Sequence, residues 1–249
     1  MRWNAALYDT KHDFVAEYGK NLLQYIPSNP KQRILDLGCG TGALTERLAG
    51  LCGHVLGADS SPEMIREASE RHKGIDFMVL NALDMPFENE WDVVFSNAVF
   101  HWISDHDTLL KNIRRALRPG GFLVCEFGAH GNISRVEDAF SRALRELGHE
   151  RKSGFNFPSA DQFRAALEGN GFSVDTVFDF DRPTPLKDGE RGLDSWLRQF
   201  FQTDLVPLPE EEQDEILRST EKSLKSALWD GTCWTLDYRR LRAVARVLK

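Results

Sequence analysis

The apolar positions in the first half of the chain form short runs that alternate with helical patterns. Apolar runs bounded by turn residues predict buried strands of a sheet that is covered on both faces. They are RILDL (33–37), HVLGAD (54–59), IDFMVL (75–80), WDVVFSN (91–97) and FLVCEF (122–127). Between these runs, apolar residues at helical spacing predict helices over 41–50, 62–72 and 106–117. This alternation predicts an α/β fold with a doubly wound, mainly parallel sheet.

The last third of the chain follows a different pattern. Helical spacing predicts helices over 133–147 and 159–169, and the alternating stretch FSVDTVFDFD (172–181) predicts a strand with one buried face. Two more helices are predicted before a last strand near the C-terminus, and an opening helix over 14–26. We therefore expect one domain over 1–249. Its parts are a helical cover (1–30), a core (31–182 and 232–249) and a helical insertion (183–231).

Composition narrows the class of protein. The 249 residues are 41% hydrophobic and 28% charged, and they contain no apolar stretch of the length that crosses a bilayer. The opening residues lack a signal-peptide core, and the four cysteines have no paired spacing, so we expect a cytoplasmic protein without a metal site. The net charge of −7 disfavours a nucleic-acid partner, which selects basic surfaces.

The candidate chemistry begins in the stretch ILDLGCGTGALT (34–45). Gly38, Gly40 and Gly42 follow the first strand, where bare main chain can turn sharply and approach a ligand closely. The second strand ends at Asp59, about 20 residues further on, where a carboxylate can accept hydrogen bonds from ribose hydroxyls. Together the loop and the acid predict a cofactor that contains adenosine.

A dinucleotide cofactor is the main alternative. Gly38, Gly40 and Ala43 fit the fingerprint G-x-G-x-x-A, which keeps NAD open. Three features oppose it: the glycines alternate, Asp36 precedes them, and the first strand begins only at residue 33.

The order of these motifs resembles the class I S-adenosylmethionine-dependent methyltransferases. The resemblance covers residues 33–127 and rests on LDLGCGTG, Asp59, NALDMPF (81–87), WDVVFSNAVFHW (91–102) and LRPGG (117–121). The stretches WNAALYDTKHDFVAEYG and SNAVFHWISDH resemble the branch that contains trans-aconitate methyltransferase and related bacterial methyltransferases. The family implies a seven-stranded Rossmann-like sheet with the last strand antiparallel.

The resemblance also implies roles for the residues that match its motifs. The cofactor S-adenosylmethionine would contact the main chain of the glycine loop, the ribose would bind Asp59, and the adenine would lie beside NAL, where relatives usually have Asp in place of Asn81. The implied cofactor residues are Asp36, Gly38, Cys39, Gly40, Asp59, Ser60, Asn81, Ala82, Leu83, Ser96, Asn97, Ala98 and, in the cover, Tyr8.

The acceptor side is less defined by the motifs. His101 or His130 is a candidate general base, since imidazole titrates near neutrality, although either can equally be structural. Trp102, Trp196, Phe200 and Tyr238 are candidates for the acceptor pocket, which we expect between the cover and the insertion, and core packing is the alternative for these aromatics. Three nearby arginines either bind an anionic acceptor or face solvent: Arg239, Arg240 and Arg242.

The sequence thus predicts methyl transfer from S-adenosylmethionine to a small molecule by a monomer or homodimer, with release of S-adenosylhomocysteine. A carboxylate oxygen is the leading acceptor, while nitrogen, carbon and sulfur stay open. The place after the fourth strand where an exocyclic-amine nucleic-acid methylase carries a Pro-Pro-Tyr-type motif holds SNAV. The rivals are an NAD(P)-dependent oxidoreductase and an S-adenosylmethionine-binding protein without turnover.

Overall fold

The computed structural model describes residues 19–151 and 154–248, which form nine strands and eight α-helices. The strands are β1 (Asn29–Leu37), β2 (Cys52–Asp59), β3 (Asp76–Val79), β4 (Trp91–Asn97), β5 (Leu117–Gly128), β6 (Phe172–Asp181), β7 (Thr184–Pro185), β8 (Thr235–Leu236) and β9 (Arg239–Val247). The helices are α1 (Ala43–Ala49), α2 (Pro62–Arg71), α3 (His106–Ala116), α4 (Ser134–Glu146), α5 (Ala160–Gly169), α6 (Gly192–Phe200), α7 (Gln202–Leu205) and α8 (Glu210–Leu228). Short 3₁₀ helices cover Lys20–Tyr25, Ala82–Asp84, Phe100–Trp102 and Gly189–Arg191.

Seven strands form one sheet in the order β3-β2-β1-β4-β5-β9-β6. The pairs β1–β2, β1–β4, β2–β3 and β4–β5 are parallel, which confirms the predicted doubly wound, mainly parallel sheet. The chain order reverses between β1 and β4, because β2 and β3 lie on one side of β1 and the later strands on the other.

The central strands are apolar on both faces, as the continuous apolar runs predict. Leu35 and Leu37 of β1 belong to one buried cluster, which includes apolar residues of α3 and α5. Ile34, on the opposite face, belongs to a second cluster with Leu44 and Leu48 of α1. Burial on both faces explains why these strands show no polar alternation.

Two strands begin earlier than the sequence predicts. β1 starts at Asn29, inside the turn-forming sequence PSNP (27–30), and its register with β2 shifts between Asn29 and Arg33. β5 starts at Leu117, and its register with β4 shifts around the RPGG turn at 118–121. In both places the strand pairs with its neighbour before and after a turn sequence. The turn sequence is therefore an irregularity within the strand and does not end it.

The predicted helix over 14–26 falls largely outside the described residues. Its described end forms the 3₁₀ helix Lys20–Tyr25, whose Leu22 and the following Ile26 are buried. The prediction of a helical cover therefore stays a prediction.

The chain divides into two compact units. In described residues, the sheet unit contains 19–129, 156–179 and 241–248, and the insertion unit contains 130–151, 154–155 and 180–240. The insertion unit includes α4 and the helices α6–α8. Among residues 19–151 and 154–248, no helix combines the length and apolar content that crossing a membrane requires. The prediction of a single domain with a helical insertion stays a prediction.

Candidate functional site

The reversal of strand order between β1 and β4 marks the edge at which a ligand site is expected. β1 ends at Leu37 and β4 at Asn97, while β2, the other neighbour of β1, ends at Asp59. Open parallel sheets bind ligands beyond the carboxyl ends of their strands at such a reversal. The glycine loop (residues 38–42) and Asp59 both follow these ends.

The three loop glycines all have a positive φ angle, but their surroundings differ. Their φ angles are +79°, +55° and +86° for Gly38, Gly40 and Gly42. A Cβ atom on Gly38 would overlap Val99, and one on Gly42 would lie 2.8 Å from Cδ2 of His72. A Cβ atom on Gly40 would meet no atom within 4 Å. Gly40 is therefore the loop position where bare main chain faces open space.

The carboxylate of Asp59 braces the glycine loop. Its Oδ2 accepts a hydrogen bond from the main-chain N–H of Gly40 at 3.1 Å, and its Oδ1 accepts one from Ser61 at 2.8 Å. Burial raises the pKa of this carboxyl, while the N–H groups of Ser61, Gly40 and Ser60 lower it. The side chain keeps partial exposure, and its oxygens have lone pairs beyond these bonds. Asp59 thus places hydrogen-bond acceptors beside the open main chain of Gly40, which fits a ribose diol.

Asp36, two residues before the loop, is almost fully buried, with 2% of its surface exposed. Its Oδ2 accepts a hydrogen bond from Thr45 Oγ1 at 2.7 Å. Burial, assisted by the negative charge of Asp59, raises the pKa of Asp36 to about 7 against the effect of the Thr45 bond. This carboxyl therefore changes charge near neutral pH.

Cys39 carries one of the two side chains of the loop, and Thr41 carries the other. Burial raises the pKa of its thiol, and the negative charges of Asp36 and Asp59 raise it further. The thiol stays protonated at neutral pH, so the chemistry that Cys39 offers a ligand is that of its main chain.

Asn81 begins the segment assigned to adenine. Its Oδ1 accepts a hydrogen bond from the main-chain N–H of Leu83 at 3.0 Å, which caps the 3₁₀ helix Ala82–Asp84. The amide also carries two N–H donors, and the ring nitrogens of adenine are acceptors. The exposed Asn81 can therefore recognise adenine as a donor, a role that Asp cannot take.

The residues at the end of β4 are held in a fixed conformation. Ser96 is buried and donates a hydrogen bond from Oγ to the carbonyl oxygen of Leu37 at 2.8 Å. Ala98 has a φ of +62°, and its N–H donates to the carbonyl oxygen of Glu126 at 2.7 Å. A non-glycine residue in this region stores strain, which is common at functional sites.

Tyr8 lies outside the described residues. The first described residue, Gly19, is buried, and a Cβ atom there would lie 3.0 Å from Nδ2 of Asn97. Gly19, which falls within the predicted cover (1–30), therefore lies directly against the end of β4.

The hydrogen bond that His101 accepts bears on its candidate role as general base. The main-chain N–H of Gly128 donates to Nδ1 of His101 at 3.3 Å, so the neutral ring is inferred to carry its proton on Nε2. The residue is 7% exposed, and its ring contacts Trp102 and Phe157 at centroid distances of 5.4 and 5.8 Å. A base at Nε2 requires the other tautomer.

The other acceptor candidates belong to the insertion unit. His130 is exposed, whereas Trp196 is 2% exposed and donates from Nε1 to the hydroxyl oxygen of Tyr238 at 2.8 Å. Phe200 packs against Trp196 with ring centroids 4.7 Å apart. Burial raises the pKa of Tyr238 to about 12. Trp196 and Tyr238 thus have an observed role in the packing of this unit.

The three arginines near the C-terminus have different surroundings. Arg239 pairs with Asp181 at 2.7 Å, and the guanidinium of Arg240 lies 4.5 Å from the ring centroid of Tyr238. Arg242, in the sheet unit, donates from Nε to the buried carboxylate of Glu126 at 2.9 Å. The alternative that these arginines face solvent is wrong for Arg240 and Arg242, which are 6% and 7% exposed.

Comparison with known proteins decides the family. Residues 35–125 match the family model of a methyltransferase domain. An uncharacterized methyltransferase of Schizosaccharomyces pombe is 35% identical over 98% of this chain and 97% of its own length. The chain belongs to the class I S-adenosylmethionine-dependent methyltransferases. This membership decides against the oxidoreductase alternative.

Two further likenesses agree with the methyltransferase family. The trans-aconitate 2-methyltransferase of Methylobacterium nodulans is 32% identical to this chain, with 98% of each chain covered. The crystal structure of the YcgJ protein of Bacillus subtilis shares the fold with a TM-score of 0.68 at 16% identity, covering 94% of this chain and 99% of its own.

Several residues around the glycine loop have no role that the sequence analysis assigns. Val99 and His72 occupy the space beside Gly38 and Gly42, and Thr45 binds Asp36. Apolar or polar residues of these types carry no signal of their own in a single sequence. Only the folded arrangement shows that they shape the loop.

A matched pair of glycine variants tests whether the open space at Gly40 serves the methyl donor. Gly40→Ala is expected to weaken the affinity of the methyltransferase for S-adenosylhomocysteine at least tenfold, since the added methyl group would enter that space. Gly74→Ala is the control, because Gly74 also has a positive φ (+90°) and open space for a Cβ atom. Both variants should lose about 1–2 kcal/mol of unfolding free energy through the left-handed backbone. Calorimetric affinities that are equal for the two variants would argue against a donor at Gly40.

Proposed function

We propose that this methyltransferase binds S-adenosylmethionine on the glycine loop and transfers its methyl group to a carboxylate oxygen of a small organic acid. One observation supports binding of the methyl donor. The carboxylate of Asp59 accepts a hydrogen bond from the N–H of Gly40 at 3.1 Å, and the main chain of Gly40 faces open space. A sugar diol can bind such a carboxylate while the attached thioether lies on side-chain-free backbone.

In this proposal, residues at the carboxyl ends of the strands contact different parts of the ligand. Gly38, Cys39 and Gly40 contact the amino-acid part through main chain, with Asp36 behind them. Asp59 and Ser60 hold the ribose, Asn81, Ala82 and Leu83 border the adenine, and Ser96, Asn97 and Ala98 border the methionine, with Tyr8 as a cover. These roles agree with the positions of the described residues among them relative to β1, β2 and β4.

The bound sulfonium compound supplies an activated methyl group, so the protein has to align the acceptor and exclude water. Alignment of two reactants alone accounts for large rate enhancements. The local structure offers fixed elements against which an acceptor can be aligned, because Ser96 is tied to Leu37 and Ala98 is held in one conformation by Glu126.

The carboxylate acceptor is supported by two observations. The relative from Methylobacterium nodulans is named for methylation of trans-aconitate, a tricarboxylic acid. Methylation of an ionised carboxylate oxygen moves no proton and so needs no general base, which agrees with the inferred tautomer of His101. Trp102, Trp196, Phe200 and Tyr238 remain candidates for acceptor contacts, and His130 remains the alternative imidazole.

The remaining expectations stay predictions within this proposal. They are a cytoplasmic setting, a monomer or homodimer, a small-molecule partner, and the absence of a nucleic-acid partner. The net charge of −7 supports the last of these.

A transfer assay tests the proposed acceptor class. The enzyme is incubated with methyl-labelled S-adenosylmethionine and either trans-aconitate or its triamide, and the products are treated with mild base. We expect label on the acid alone, released by base as methanol, because methyl esters hydrolyse whereas N-, C- and S-methyl groups do not. Base-stable label, or equal labelling of the triamide, would contradict carboxylate methylation. Absence of transfer from a protein that binds S-adenosylhomocysteine would contradict trans-aconitate as the acceptor while leaving the donor site standing.

A further inference from the structure

His72 lies beside the glycine loop, at the end of the helix that follows Asp59 along the chain. It directly follows α2, and its side chain is 12% exposed. Nε2 lies 3.1 Å from the carbonyl oxygen of Thr41, and Nδ1 lies 3.6 Å from Oε1 of Glu46. One imidazole thus connects the loop with the first turn of α1.

The third glycine of the loop makes room for this imidazole. A Cβ atom on Gly42 would lie 2.8 Å from His72 Cδ2 and 2.9 Å from Cζ of Phe77. The two rings contact each other with centroids 6.2 Å apart. Gly42 therefore serves the packing of His72 and Phe77, in contrast to Gly40, which faces open space.

The hydrogen bond to Thr41 has a defined direction. A carbonyl oxygen can only accept, so Nε2 of His72 carries the proton and donates. Nδ1 faces a carboxylate beyond hydrogen-bond distance, so the donation from Nε2 holds whether or not Nδ1 is protonated. The imidazole is a donor to the loop in either state.

The loop needs such contacts because glycine lowers the energy of alternative backbone conformations. The N–H groups of Gly38 and Cys39 donate to the carbonyl oxygen of Ala58 at 2.7 and 3.0 Å, and Gly40 donates to Asp59. These anchors hold the first half of the loop against β2. His72 holds its second half, at the residue between Gly40 and Gly42.

We propose that His72 is a positioning residue for methyl-donor binding: by holding the carbonyl group of Thr41, it keeps the main chain of Gly40 in the conformation that a donor contacts. The inference rests on the proposed donor site at Gly40 and adds a residue that the sequence motifs do not contain.

Two amide variants of His72 test this role. In Gln, the amide nitrogen is separated from Cβ by the same number of bonds as Nε2 of histidine, so His72→Gln retains a donor to Thr41. In Asn it is one bond shorter and matches Nδ1, so His72→Asn loses that donor. We expect calorimetric affinity for S-adenosylhomocysteine to fall about three- to tenfold in His72→Asn, the range of one net hydrogen bond, and to stay within about twofold of wild type in His72→Gln.

The control is Glu46→Gln, which removes the second neighbour of the imidazole at an exposed site and should bind like wild type. Amide hydrogen exchange of residues 38–42 without ligand gives an independent readout. It should speed up in His72→Asn alone, while cooperative urea unfolding shows that both His72 variants are folded.

Equal affinity and equal loop exchange in the Gln and Asn variants would overturn the positioning role, since a purely structural role depends on packing alone. Failure of the wild-type protein to bind S-adenosylhomocysteine is a different result, and it would overturn the donor site itself. The wild-type titration therefore separates the two failures.

Discussion

Replacing Asp59 by alanine is expected to weaken binding of S-adenosylhomocysteine at least tenfold. A hydrogen bond to a charged group contributes about 1.5–3 kcal/mol, and each 1.4 kcal/mol is a factor of about ten in affinity. The structure adds a second reason, because Asp59 also accepts from the N–H of Gly40 and so braces the loop. Isothermal titration calorimetry measures the loss directly.

The two contributions of Asp59 can be separated on the ligand side. An analogue of S-adenosylhomocysteine that lacks both ribose hydroxyls should bind wild type more weakly than the parent compound, but should bind Asp59→Ala about as well as the parent does. In this double cycle, the coupling free energy between the ribose hydroxyls and the carboxylate measures the ribose contact. The loss of affinity that Asp59→Ala still shows with the analogue measures the contribution of the hydrogen bond to Gly40. A loss below about threefold in folded Asp59→Ala, or a coupling near zero, would contradict the ribose assignment.

Asp36 is expected to make the free energy of unfolding depend on pH. Its pKa is about 7 in the folded protein, against 3.8 for an ordinary exposed aspartate, because burial disfavours the charged form. The folded state therefore binds more protons than the unfolded state between these two values, and stability falls as pH rises through this window. Between pH 5 and pH 8 the loss attributable to this carboxyl is about 3 kcal/mol, and above pH 8 it is complete.

The variant Asp36→Asn isolates this contribution. Its amide oxygen can still accept from Thr45, but it carries no charge at any pH. Urea unfolding at a series of pH values should show that the free energy of unfolding of the variant increases relative to that of wild type as pH rises from 5 to 8. If the difference in unfolding free energy between the two proteins is constant over this range, Asp36 does not titrate there.

Much of the sheet could be predicted from the sequence because its central strands are buried on both faces. β4 begins and ends as the apolar run WDVVFSN does, and the run that contains Leu35 and Leu37 marks the carboxyl end of β1. The strand starts at Asn29 and Leu117 could not be predicted, since each lies across a turn sequence whose pairing depends on the neighbouring strand.

The glycine loop was predictable as a feature, but the reasons for its glycines were not. Sequence reasoning treats Gly38, Gly40 and Gly42 alike, as bare main chain for a ligand. In the structure, Gly38 avoids Val99, Gly42 avoids His72, and Gly40 alone of the three has no neighbouring atom where a Cβ would lie. These neighbours are distant along the chain, so only the fold brings them to the loop.

The acceptor side was the least predictable part, because aromatic residues have the same sequence signature in a core and in a pocket. Trp196 and Tyr238 are joined by a buried hydrogen bond, a contact between residues far apart in sequence. His101 likewise follows a recognisable strand, but the N–H of Gly128 that fixes its tautomer comes from another strand.

In the proposed function, the main chain of Gly40 and the carboxylate of Asp59 together hold the methyl donor. A crystal structure of the protein with S-adenosylhomocysteine tests it most directly. We predict that both ribose hydroxyls lie within hydrogen-bond distance of the Asp59 carboxylate and that the ligand contacts the main chain of Gly40. A ligand bound elsewhere, or a ribose turned away from Asp59, would contradict this donor site.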